Sequence, residues 1–167
     1  MVEDGTIPID IDVALNGSDK NVRLIMTRKL TNKTVLTQLA KNDVGVRFEA
    51  AIKLKDQSIL AEFAMNDSER DVRLKALNYL SDQSTLTDIA KNNDESYVRL
   101  QSIKKLTDQS ILADFARHDI YDNLREEAAR TLIKITTDPE LRKEMQIIIE
   151  AIENARDQEE RNREWMK

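Results

Sequence analysis

Residues 107–119 read TDQSILADFARHD, and nearly the same text stands at 55–67 (KDQSILAEFAMND) and 81–93 (SDQSTLTDIAKNN), with a more distant copy at 31–43 (TNKTVLTQLAKND). Near-copies at a near-constant interval are the mark of a repeat architecture, in which each copy is one supersecondary unit. The dipeptide Val-Arg keeps the same beat as Val22-Arg23, Val46-Arg47, Val72-Arg73 and Val98-Arg99, with Leu124-Arg125 as a variant. The arginines therefore lie 24, 26, 26 and 26 residues apart. This divides one domain, 1–167, into repeats at about 6–30, 31–54, 55–80, 81–106 and 107–135.

Each repeat carries two helical patterns. The first, exemplified by Ile59, Leu60, Phe63 and Ala64, is apolar at i, i+1, i+4 and i+5 and follows a Thr/Ser/Asp start signal, which predicts a capped helix A. The second, exemplified by Val72, Ala76, Leu77 and Leu80, is apolar at i, i+4, i+5 and i+8, and predicts a helix B. Turns such as Asn66-Asp67-Ser68-Glu69 are too short for anything but an antiparallel helix hairpin. The first repeat is degenerate, with Pro8 in a first turn and Asp10 where the other repeats have leucine, and reads as an N-terminal cap. Thr137-Asp138-Pro139-Glu140 then starts a final helix, about 138–165, whose Leu141, Met145, Ile148, Ile152 and Ala155 close the last apolar face. The charged run after Ala155 is expected to project or fray.

Composition agrees with an all-α chain. Three glycines and two prolines leave few turn residues for hairpins, and 40 % hydrophobic beside 34 % charged residues is ordinary for a globular protein without membrane spans. With no cysteine there is neither a disulfide framework nor a thiolate metal site. The start MVEDGTIPIDID lacks the layout of a signal peptide, so a cytoplasmic setting is expected. A net charge of −5 supplies no global attraction to nucleic acid or anionic lipid.

The frame Leu-x-x-h-Ala-x-x-Asp-x5-Val-Arg-x-x-Ala-h-x-x-Leu, with h apolar, resembles the HEAT repeat, in particular the short phycobilisome-lyase HEAT-like form, over roughly residues 6–135. The resemblance implies a right-handed α-α superhelix, or solenoid, of about five HEAT-like helix pairs plus a C-terminal capping helix. A helices would be convex and B helices would line the concave side. It also implies a structural ladder between Arg23, Arg47, Arg73, Arg99 and Arg125 and the turn acids Asp43, Asp67 and Asp119. Gly17 and Asn93 take the acid's place in two repeats, and the turn of the second repeat is two residues shorter. The helical wheel independently puts each arginine near the middle of the apolar arc, where a guanidinium needs partners.

Nothing in the chain asks for chemistry. His118, the only histidine, sits at a helix A terminus where other repeats carry Asn16, Asn42, Asn66 and Asn92, and reads as a helix-end residue. There is no phosphate loop and no Ser/His/Asp set, and Glu126-Glu127 and Glu159-Glu160 diverge as helix neighbours. No cofactor and no metal is expected.

The informative positions lie on helix B away from the hairpin core. Two residues after each valine stand Leu24, Phe48, Leu74 and Leu100, broadened by Ile25, Ile52 and Tyr97, whereas the fifth repeat has Glu126. Lys75 and Lys104 edge this apolar line. Such a line marks a surface for a protein or peptide partner. The other reading is that it packs between repeats. Across the whole face six cations (Lys20, Arg28, Arg70, Lys75, Lys104, Arg130) meet five anions (Glu49, Asp71, Asp122, Glu126, Glu127), too balanced for a nucleic-acid groove. The expectation is thus a monomeric, non-catalytic binding scaffold. The alternatives are an accessory subunit of an enzyme such as a chromophore lyase-like complex and, behind it, nucleic-acid binding.

Overall fold

A computed structural model describes residues 9–42 and 46–166. Pro8, Asp43, Val44 and Gly45, and the side chains of Asp10 and Asn42, lie outside the described residues. Among those described there are eleven α-helices and no strand. They are α1 (Ile9–Asn16), α2 (Lys20–Lys29), α3 (Lys33–Asn42), α4 (Arg47–Leu54), α5 (Gln57–Asn66), α6 (Arg70–Tyr79), α7 (Gln83–Asn92), α8 (Ser96–Ile103), α9 (Gln109–His118), α10 (Asp122–Ile135) and α11 (Pro139–Trp165). The fold is all-α. Odd-numbered helices up to α9 are the A helices, even-numbered ones the B helices, and each A packs on the B that follows it.

The chain forms two compact units, Met1–Leu80 and Ser81–Lys167. In the first, B helices stack in order, α2 on α4 and α4 on α6, and α4 also meets α5. In the second, α10 packs on α8, and α11 lies against α10 and α9.

The recurrent Asp-Gln-Ser of the opening motif is a cap and a stitch. Asp56 Oδ1 accepts the backbone N–H groups of Ser58 (3.1 Å) and Ile59 (3.2 Å), Asp108 those of Ser110 (2.8 Å) and Ile111 (3.2 Å), and Asp82 that of Thr85 (2.8 Å). These bonds satisfy N–H groups that a helix start leaves without partners. Hydroxyl bonds from Ser58, Thr85 and Ser110, then these backbone bonds, hold the three carboxyls below their ordinary range. The glutamine that follows reaches back across the repeat. Gln57 Nε2 lies 3.4 Å from Tyr79 O and Gln83 Nε2 3.2 Å from Lys105 O, and Gln83 Oε1 accepts from the N–H of Thr107 at 2.9 Å. The tripeptide thus starts helix A in all three copies, and at Gln57 and Gln83 it also ties helix A to the end of helix B.

Burial follows the two apolar patterns. The A helices bury Leu60, Phe63 and Ala64, and likewise Leu86, Ile89, Ala90 and Leu112, Phe115, Ala116. The B helices bury positions four and five after the valine, as Ala50/Ala51, Ala76/Leu77, Ser102/Ile103 and Ala128/Ala129. The small residue four after the valine, Ala50, Ala76, Ser102 or Ala128, lets helices approach closely. The buried Ser102 and Thr27 hydroxyls bond to the carbonyls one turn back, Val98 O at 3.0 Å and Arg23 O at 2.8 Å, so neither costs an unmet donor.

Two backbone details depart from this regularity. Lys55, at the end of α4, has φ 56°, with Asp56 N bonded to Ala51 O at 3.2 Å. This is a left-handed helix stop normally filled by glycine. Gly17 ends α1, and a Cβ there would stand 2.6 Å from Val13 O. The close approach explains why the first repeat carries glycine where others have Asp or Asn.

The terminal helix corrects the sequence reading in detail. Met145, Ile149 and Ile152 form its buried face, Leu141 and Ile148 are half-buried, and Ala155 is exposed. Steps of four and then three residues keep the buried side chains on the stripe facing α10 and α9. Of the two courses expected for the charged tail, it takes the first: α11 stays helical to Trp165, with its side chains past Ile152 exposed.

Candidate docking face of the B helices

In the first unit the B helices frame an open cleft of about 640 Å³. Lys20, Leu24 and Arg28 come from α2, Arg47, Phe48, Glu49 and Ile52 from α4, and Val72, Lys75, Asn78 and Tyr79 from α6, while Phe63 and the Asp67-Ser68-Glu69 turn close one side. Four of the residues expected on the apolar line and its edge, Leu24, Phe48, Ile52 and Lys75, line this cleft. Leu74 is half-buried and does not line it, and Ile25, 49 % exposed, also lies off it. In the second unit Tyr97 and Leu100 are half-buried and Lys104 is exposed.

Phe48 does two things at once. Its ring meets Phe63 edge-on, with centroids 5.6 Å apart and planes at 85°, while its remaining surface faces the cleft. The quadrupoles of two rings favour this arrangement. The Arg47 guanidinium lies 4.6 Å over the Phe63 ring and reaches Asp67 Oδ2 at 3.5 Å. Part of the apolar line is therefore packing between repeats.

The arginine ladder is built on carbonyls. Arg23 Nη1 donates to Gly17 O at 2.6 Å, Arg73 Nη1 to Asp67 O at 2.5 Å and Arg99 Nη1 to Asn93 O at 2.7 Å, each six residues back. The acceptor is main chain, so Gly, Asp and Asn serve alike. The Asp or Asn side chain instead closes the turn, Asp67 Oδ1 accepting Glu69 N (2.9 Å), Asn93 Oδ1 accepting Glu95 N (3.0 Å) and Asp119 Oδ1 accepting Tyr121 N (2.9 Å). Arg47 differs, turning to Asp67 of the next repeat. Arg125 donates to Ala116 O at 3.2 Å and to Asp122 Oδ1 at 3.1 Å. Arg99 also stacks over Tyr121, 4.9 Å from the ring centroid.

A second, electrostatic ladder runs along the B face. Arg28 forks onto Glu49 (Nε–Oε1 2.9 Å, Nη2–Oε2 3.4 Å), and Lys104 meets Glu127 at 3.6 Å. In both rungs a cation six residues after the valine position meets an acid three residues after the next one. The spacing is visible in the sequence once repeats are aligned, but tallying charges over the whole face hides it. At the rung between α4 and α6 the same two positions hold Ile52 and Lys75, so that rung has no acid.

Glu126 explains why the fifth repeat lacks an apolar residue on this line. Its carboxylate accepts Arg130 Nε at 2.9 Å and Arg156 Nη2 at 2.8 Å, and Arg130 Nη2 goes on to Glu153 at 2.7 Å. The partner at this position is α11, a charged helix. Burial opposes ionisation of Glu126, but the bonds from Arg156 and Arg130 prevail and its carboxyl sits below the usual range. Arg117 similarly holds Glu144 of α11 through 2.7 and 2.8 Å bonds and lowers its carboxyl.

Elsewhere, His118 Nδ1 lies 3.0 Å from Asp114 Oδ1 at the exposed end of α9. A hollow of about 330 Å³ is lined by Arg156, Glu160, Arg163 and Glu164, all on the projecting part of α11 and without an apolar floor. Among the described residues no cluster of three or more His, Cys, Asp or Glu is arranged to hold a metal, and no helix is long and apolar enough to cross a membrane. No family model, curated protein or solved structure matches the chain.

Proposed function

We propose that the chain is a non-catalytic protein-binding scaffold that receives its partner on the B-helix face, as a HEAT-like right-handed solenoid does on its concave side. The observation that carries this reading is the cleft of the first unit. Leu24, Phe48 and Ile52 give it an apolar floor, and three helices and a turn wall it. Apolar side chains kept together on a face away from the helix-hairpin core are the usual footing of a protein partner, and an aromatic near the middle commonly dominates affinity. Tyr97, Leu100 and Lys104 continue the reading on α8. A monomeric protein working in the cytoplasm is part of the same proposal.

Quantitative capture from extracts of the source organism tests it. Proteins retained by the wild type should be lost at least tenfold, about 1.4 kcal/mol, on Leu24→Ser/Ile52→Ser, and kept on Met65→Ser, which alters an exposed apolar side chain of helix A. Equal retention by the wild type and both variants would refute the reading.

A further inference from the structure

The charges around the cleft specify what should lie in it. Four cations and three acids line it: Lys20, Arg28, Arg47 and Lys75 against Glu49, Asp67 and Glu69. Arg28 is held by Glu49 and Arg47 by Asp67. Among the described residues neither Lys20 nor Lys75 is paired with an acid, and Glu69 has no cation. Lys75 stands at the position where the electrostatic ladder carries its acid, and Ile52 at the position of the facing cation, so this rung offers Lys75 no carboxylate. The cleft thus presents two free ammonium groups beside an apolar floor, on a chain whose net charge is −5.

We infer that the cleft takes an acidic, apolar segment of another protein, with large aliphatic or aromatic side chains on Leu24, Phe48 and Ile52 and carboxylates at Lys20 and Lys75. This rests on the docking reading above and adds the chemistry of the occupant. The two lysines are on helices two steps apart, and with neighbours at about 8–10 Å they stand on the order of 20 Å from each other. An extended segment of about six residues covers that distance, a helical one about thirteen. An ammonium at an exposed rim steers and orients a carboxylate rather than dominating affinity, so the pairing should weaken as salt rises.

The test is selection of displayed random peptides of about fifteen residues, long enough for either conformation, on the full chain. Selected peptides should be rich in Asp or Glu beside Leu, Ile or Phe. They should bind Lys20→Glu/Lys75→Glu at least tenfold more weakly, and peptides with Lys in place of those acids should recover binding to that variant. Peptides sensitive to Ile52→Ser but indifferent to the lysine reversal would overturn the acidic assignment while leaving the docking face. Enrichment of basic peptides would also overturn it. Peptides indifferent to both changes, or no enrichment at all, would overturn the docking face as well.

Discussion

Arg73 Nη1 lies 2.5 Å from the main-chain oxygen of Asp67, and the Asp67 carboxylate faces elsewhere, accepting Glu69 N and Arg47. An arginine only 9 % exposed is therefore anchored on the backbone of the turn that joins helix A to helix B. Removing its guanidinium leaves that carbonyl without this donor and opens space in the arc. Arg73→Ala should lose on the order of 1–3 kcal/mol, whereas Asp67→Asn should cost under about 1 kcal/mol, because the carbonyl and an acceptor for Glu69 N remain. Urea melts of the two variants decide it, and an unchanged Arg73→Ala midpoint would place the residue in solvent.

Acid should loosen the terminal helix first. Glu126 and Glu144 have carboxyls held lower in the folded state than in the unfolded chain, for which the ordinary value is 4.5. Their contribution is fully present above that value and is lost as pH falls through the lower folded values. Thermal melts across this range should show a falling midpoint, and Glu126→Gln should flatten part of the fall. A wild type and Glu126→Gln with parallel pH profiles would contradict the role given to Arg130 and Arg156.

Phe48 and Ile52 should separate packing from docking. Phe48→Ala removes the edge contact to Phe63 and should cost about 1–3 kcal/mol, less than the truncation of a fully buried ring. Ile52→Ser, whose side chain faces the cleft, should cost under about 1.5 kcal/mol. Equilibrium unfolding that ranks them in the opposite order would reverse their roles.

Lys55→Gly should stabilise. A lysine at φ 56° is strained relative to glycine by about 1 kcal/mol, partly offset by glycine's greater freedom in the unfolded chain, so a gain of a few tenths to about 1 kcal/mol is expected. The thermal midpoint reads it directly, and a fall would show that the Lys55 side chain contributes more than its backbone costs.

The hairpins were legible because two periodicities and their cap residues recur with every repeat. Leu60 with Phe63, and Ala76 with Leu77, announce their burial by spacing alone. The arginine contacts were half legible. The wheel placed Arg73 and Arg99 in the apolar arc, but a carbonyl acceptor leaves no trace in the residue type, and Gly17 and Asn93 looked like departures when they serve as well as Asp67. The rungs Arg28–Glu49 and Lys104–Glu127 join side chains 21 and 23 residues apart, which only a register between neighbouring B helices reveals. That same register marks Ile52 and Lys75 as the rung without an acid. The apolar line itself was visible, while the ring packing of Phe48 on Phe63, beside a half-buried Ile52 that only lines the cleft, depends on what lies opposite each side chain.

Hydrogen–deuterium exchange of the full chain, with and without a selected acidic peptide, tests the docking face most directly. Added protection should be confined to α2, α4 and α6, strongest around Leu24, Phe48 and Ile52, with the A helices α3 and α5 unchanged. Protection concentrated on those A helices or on residues 153–165 of α11 would contradict it.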